Sequence, residues 1–253
     1  MWGASAKDSG GPAVLVEHVS KRFVLPHERV VTIKGAALRA LRGRSGADRF
    51  TAVSDVSFTL EHGERLGIIG ANGSGKSTLL SMIARIYPPT TGRIVTRGRV
   101  CGLLGLGAGF NMELTGRDNI FLNGALFGLG TREMAKRYPA IAEFSELGEF
   151  LLAPMRTYSS GMVSRLGFSV AVHVDPDILL LDEVLAVGDE HFRAKCLQRL
   201  DEVCAGGTTV VLVSHQLAEI TRLCPRTIWM HKGEAVMDGP SEEVTQQYLL
   251  KCG

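Results

Sequence analysis

Gly70-Ala71-Asn72-Gly73-Ser74-Gly75-Lys76-Ser77-Thr78 decides the fold of this chain. The stretch fits G-x-x-x-x-G-K-[ST]. It follows the apolar run Leu66-Gly67-Ile68-Ile69, which reads as a strand, and opens into Leu79 to Ile86, which reads as a helix stopped by Pro88-Pro89. Strand, glycine loop and helix in that order form a cradle for phosphate. The glycines let successive backbone N–H groups point inward at one anion. The helix N-terminus adds partial positive charge, Lys76 reaches the β/γ-phosphates, and the Ser77 hydroxyl is placed to ligate Mg²⁺. A nucleoside triphosphate is the expected ligand of Gly70, Ala71, Asn72, Gly73, Ser74, Gly75, Lys76, Ser77 and Thr78.

About a hundred residues further on, Ile178-Leu179-Leu180-Leu181-Asp182-Glu183 is an apolar strand ending in two carboxylates. Asp182 at the strand end can hold Mg²⁺ through water, and Glu183 can orient and polarise the water that attacks the γ-phosphate. Val210-Val211-Leu212-Val213-Ser214-His215 repeats the logic, with His215 placed to hydrogen-bond the γ-phosphate.

The 253 residues are 45% hydrophobic and 21% charged, the composition of a globular chain large enough for one substantial core. A formal net charge of +2 argues against nucleic-acid binding driven by bulk charge. Five cysteines, odd in number and without a C-x-x-C pair, exclude a disulfide frame or a zinc site as the organising device. No apolar run approaches the roughly 18 residues that span a bilayer. Residues 1–12 are small and polar, and read as a flexible tail without the apolar core of a signal peptide.

Ala13 to Phe23 reads as a first strand, and Val53 to Leu60 alternates more strictly. Between them, about residues 24–49, lies a basic amphipathic insert. From His27 to Arg49 six Lys/Arg oppose Glu28 and Asp48, a net of +4, which suits a membrane surface or a partner and equally a solvated surface helix or loop. Ile94 to Leu106 is strand-like and then glycine-rich. Residues of about 107–170 suggest a helical lobe, with helical character from Asp118 to about Leu152. Ile178–Leu181 and Thr208–Val213 are continuous apolar runs of buried parallel strands. Thr227 to Met237 reads as a hairpin around Lys232-Gly233, and residues 250–253 as a tail. The expected fold is α/β: a P-loop NTPase core with a mostly parallel sheet, an N-terminal antiparallel β subdomain and an inserted helical lobe.

Tyr158-Ser159-Ser160-Gly161-Met162-Val163-Ser164-Arg165-Leu166 resembles the signature segment of ABC transporter ATPases. Gly188-Asp189 resembles that family's D-loop and His215 its switch histidine, while Phe23 falls where the family stacks an aromatic on adenine. The resemblance extends from about Ala13 to Leu249. It implies that Ser159, Ser160 and Gly161 close on nucleotide held by a second copy, in a head-to-tail homodimer with ATP and Mg²⁺ in the seam. The variant Tyr-Ser-Ser-Gly-Met, Gly107 to Phe110, and Glu113 to Ile120 are similar to ATPases of bacterial polysaccharide exporters. That likeness implies a multi-spanning permease partner, a lipid-linked polysaccharide as cargo, and a peripheral place on the cytoplasmic face of the membrane. The alternatives are an exporter of another lipid or a drug, a non-transport ABC ATPase, or a non-hydrolysing scaffold. The family's glutamine between core and helical lobe has no counterpart from Val100 to Arg117; its position falls near Gly105 or Leu106.

Overall fold

The computed structural model describes residues 10–24, 49–104, 109–183 and 189–252. The insert at residues 25–48, residues 1–9, Gly105 and Leu106, and Gly188 of the expected D-loop lie outside the described residues. Two sheets organise the rest. Strands β1 (Val14–Val24), β2 (Arg49–Leu60) and β4 (Thr91–Thr96) form an antiparallel sheet in the order β2-β1-β4. The β1–β2 ladder closes on its last rung, Val24 opposite Arg49, so the chain leaves and re-enters the sheet at one point.

The second sheet has the order β5-β6-β7-β3-β8-β9, from β3 (Arg65–Ile69), β5 (Val100–Leu104), β6 (Ile178–Asp182), β7 (Thr209–Val213), β8 (Arg226–His231) and β9 (Glu234–Pro240). All neighbours are parallel except the β8–β9 hairpin. The expected fold class is the one observed. The continuous apolar runs follow from burial on both faces, because alternate side chains of a strand feed opposite cores. Ile178 and Leu180 join Val211 and Val213 in a core shared with β1, β2 and helix α1 (Lys76–Ile83). Leu179 and Leu181 join Val210 and Leu212 in a second core. That core is closed by α4 (Ser160–Ala171), α5 (Glu190–Ala205) and α6 (Leu217–Leu223).

The helical lobe consists of α2 (Gly116–Leu126), α3 (Thr131–Ser145) and two short 3₁₀ turns, Gly148–Leu152 and Met155–Thr157, leading into α4. Thr115 caps α2, accepting from Asp118 N at 3.1 Å.

Three boundaries differ from expectation. Helix α1 stops at Ile83, well before Pro88, because Arg85 turns left-handed (φ 62°) and its guanidinium donates to Thr96 O at 2.8 Å. The strand expected from Ile94 breaks into β4 and β5, which belong to different sheets. At the break Gly98 has φ 105° with Asp177 packed against it, and Arg99 N donates to Asp177 Oδ2 at 2.7 Å. Residues 250–252, expected as tail, continue the last helix, α7 (Ser241–Cys252). Lys251 there lies over the Trp229 ring, 5.5 Å from its centroid, and anchors the final turn.

Candidate active site

Sheet order assembles the site. In the order β6-β7-β3, the carboxyl ends of three parallel strands lie side by side, the usual place for ligands in open α/β sheets. These ends deliver Asp182-Glu183, Ser214-His215 and the glycine loop at Gly70.

The loop is clamped from behind. Gly70 has φ 145°, and a Cβ there would come within 2.1 Å of Met230 O. Gly75, at φ 101°, would meet Ala52 O at 2.3 Å. No side chain fits at either position. Gly233 N donates to Ser74 O at 3.0 Å, tying the loop to the β8–β9 turn as well. Its front is open: Ala71, Asn72, Gly73 and Ser77 are exposed, and none of the described residues approaches within 4 Å of a Cβ placed on Gly73. Lys76 is buried and arches over the loop, donating from Nζ to Gly70 O at 2.8 Å and Ala71 O at 3.0 Å. Burial pulls its pKa down, while the carboxylates of Glu183 and Asp182 pull it back up.

Those carboxylates face the loop across the cleft. Asp182 is half-buried, and burial raises its pKa against the opposing hydrogen-bonding influence of the Ser77 hydroxyl beside it. Asp182 Oδ1 is buried without a hydrogen-bond partner among the described residues. A buried, unsatisfied carboxylate oxygen beside an exposed hydroxyl is the oxygen-donor chemistry that suits a hard divalent cation, so these residues fit Mg²⁺. Glu183 turns left-handed (φ 54°), and its N–H donates to Val213 O at 2.9 Å. A non-glycine residue held in that region is strained, and such strain concentrates at working sites. The turn aims Glu183 at the end of β7, where Glu183 Oε1 lies 2.7 Å from His215 Nε2. The two expected catalytic side chains are therefore direct partners, which their separation in the chain gave no sign of.

Phe23 is partly exposed and packs edge-to-face with Tyr87, ring centroids 5.9 Å apart. The Lys21 ammonium sits 5.3 Å and 5.5 Å from the two centroids and donates to Pro88 O at 2.7 Å. Lys21 pairs with Val53, whose side chain would lie 3.4 Å from a Cβ placed on Gly75, so this platform lies two rungs along the ladder from the end of the phosphate loop. Tyr87 and Lys21 went unnoticed in the sequence. The available signal was the i, i+2 spacing of Lys21 and Phe23 on one strand face.

Ser159 caps α4, its hydroxyl accepting from Met162 N at 3.3 Å, and Ser159 and Ser160 are exposed. Outside its own helix backbone, a Cβ on Gly161 would have only Ser159 Oγ nearby among the described residues, at 3.8 Å. Beyond the Ser159 cap on Met162 N, this helix start is exposed at Ser159 and Ser160. Asp189 caps α5, accepting from Phe192 N at 2.9 Å and from Arg165 Nη2 at 2.7 Å. The Phe192 N–H and the Arg165 guanidinium hold the Asp189 carboxyl below the usual range. Arg165, six residues beyond Ser159, thus links the helix of the signature segment to the start of α5.

A family model described as ABC transporter matches residues 53–186. The O-antigen export system ATP-binding protein RfbB of Klebsiella pneumoniae is 44% identical over 243 residues, spanning 94% of this chain and 97% of that protein. The teichoic acids export ATP-binding protein TagH of Listeria monocytogenes is 42% identical over 235 residues, spanning 93% of this chain and 69% of that protein. Among solved structures, an ATP binding subunit of an ABC transporter shares 22% identity over 95% of each chain, with a TM-score of 0.74. A dimeric ATP-binding cassette in a post-hydrolysis state, bound to ADP and Pi, aligns at 22% identity with a TM-score of 0.73, over 90% of this chain and 98% of that one.

Proposed function

As a member of the ABC transporter family, the chain is an ATP-binding, ATP-hydrolysing subunit, and we propose that it powers export of a lipid-linked polysaccharide through a membrane-spanning permease. Similarity to O-antigen and teichoic acid export proteins over nearly the whole chain supports that cargo. No helix among the described residues is long and apolar enough to cross a membrane. In this reading passage of the cargo falls to the permease, with the subunit peripheral on the cytoplasmic face.

One observation carries the catalytic part: Glu183 and His215 in contact at 2.7 Å, beside the phosphate loop. Lys76 and the loop N–H groups bind and orient the triphosphate. Glu183 accepts a proton from the attacking water and holds it in line, and His215 fixes Glu183 and donates toward the γ-phosphoryl oxygens. Ser77 and Asp182 would hold Mg²⁺, which supplies charge neutralisation on the β- and γ-phosphate oxygens when bound. Phe23 and Tyr87 offer aromatic surface to adenine. Ser159, Ser160, Gly161 and Asp189 complete the nucleotide site of a second copy, so the active species is a homodimer.

The test is to express Glu183→Gln together with the permease in glycan-producing cells. ATP should remain bound in a closed dimer while lipid-linked glycan accumulates on the cytoplasmic side. Glycan arriving at the surface at the normal rate would refute the reading.

A further inference from the structure

Resting on that assignment of His215, we propose that Glu219, locked by Arg193, is a positioning residue that sets the switch histidine against Glu183. His215 is exposed at 45% of its side chain, and its one polar side-chain partner among the described residues is Glu183. Its orientation must therefore come from the backbone on either side, and both neighbours are held by a single buried carboxylate.

Glu219 is 5% exposed. Its Oε2 accepts from Ser214 Oγ at 3.1 Å, and Ser214 Oγ in turn accepts from Gln216 N at 3.0 Å. Its Oε1 binds Arg193 Nη2, and the same nitrogen donates to Gln216 Oε1 at 2.5 Å. Ser214 and Gln216 flank His215, so the carboxylate grips the turn before and after the histidine. Arg193 is anchored in the first turn of α5, its N–H donating to Asp189 O at 3.0 Å.

Glu219 is buried while Arg193 keeps 36% of its side chain exposed, so the pair is good at fixing the carboxylate's geometry: removing Arg193 strands a buried charge. Displacing a catalytic group by about 1 Å can cost on the order of 10²-fold in rate. Glu219 never touches nucleotide in this scheme; it acts through His215.

A double-mutant cycle on the whole protein reads that route. ATP affinity by calorimetry and kcat by phosphate release are measured for Glu219→Ala, His215→Ala and the double variant. Glu219→Ala should bind ATP within about 2-fold of wild type while kcat falls about 10- to 100-fold. In the double variant kcat should equal that of His215→Ala alone, since residues acting through one another are not additive. Glu219→Gln, which keeps the shape and one acceptor oxygen, should recover most of the rate, and it carries the cycle should the alanine variant fail to fold.

A slow His215→Ala variant with fully additive losses would overturn the proposal and leave the histidine's role standing. A normal rate for His215→Ala would overturn both. Equal loss of ATP affinity and turnover in Glu219→Gln would make Glu219 merely structural.

Discussion

The phosphate loop and the start of α4 are both turns of small residues that run into a helix N-terminus, yet their surroundings are opposite. Gly70 and Gly75 are pressed against Met230 O and Ala52 O, and Lys76 is buried over the loop. Ser159 and Ser160 are exposed, and no other described segment comes within 4 Å of a Cβ placed on Gly161. One helix start is backed by its own chain. The other carries only its own Ser159 cap among the described residues, as expected of half a site whose remainder comes from a second copy.

The sharpest way to break that contrast is a pair of glycine-to-alanine changes. Gly70→Ala must displace the Met230 carbonyl and adopt φ 145°, so about 2–5 kcal/mol of stability should be lost together with ATP binding. Denaturant melts and calorimetry measure both, and a stable, ATP-binding variant would show that the clamp is not rigid. Gly161→Ala has room and lies within a helix. It should gain roughly 0.5–1 kcal/mol while weakening ATP-driven dimerisation, measured by light scattering.

Next in size is Glu183→Gln. Turnover should fall on the order of 10²-fold or more with ATP affinity preserved, because the loss falls on the carboxylate proposed to position water and leaves the loop intact. Wild-type phosphate release would remove Glu183 from the chemistry.

Ser159→Arg sharpens the comparison from the open side. Its hydroxyl cap is worth about 1 kcal/mol, so the monomer should stay folded while closure fails. Mixed with Lys76→Ala protein, it leaves one composite site that pairs an intact loop with an intact helix start. ATP-dependent crosslinking between differently tagged subunits should reappear in the mixture alone. Its absence from a mixture of folded proteins would count against a shared site.

The smallest effect concerns Asp182. Burial raises its pKa in the folded state, so the fold disfavours the ionised form, and stability is lost as pH rises through the raised value. Asp182→Asn should therefore melt slightly higher than wild type without nucleotide at neutral pH, and lose the stabilisation that Mg²⁺ adds in the presence of ATP. Scanning calorimetry with and without the metal checks both.

Much of this was legible in the sequence because it is local. The glycine loop, the runs ending at Asp182 and Val213, and the Lys232-Gly233 hairpin are patterns of neighbours along the chain. What escaped depends on residues distant in sequence. The end of α1 is set by Arg85 reaching Thr96, and the β4–β5 break by Asp177. The contact of Glu183 with His215 needs β6 and β7 to be adjacent, which is a fact of strand order. The grip of Glu219 on Ser214 and Gln216 needs α5 to bring Arg193 alongside.

The closing rung of the β1–β2 ladder, Val24 opposite Arg49, has a consequence for engineering. Because both ends of residues 25–48 are fixed at one point, the sheet carries the segment as a detour in the chain. Replacing it with a tight four-residue turn would spare loop-closure entropy on the order of 1–2 kcal/mol and leave the register of both strands unchanged. The cassette is therefore modular at this position: what the detour contributes can be swapped between relatives, lengthened or excised, while β2 keeps Ala52 O against Gly75 of the phosphate cradle, three residues along the strand from Arg49.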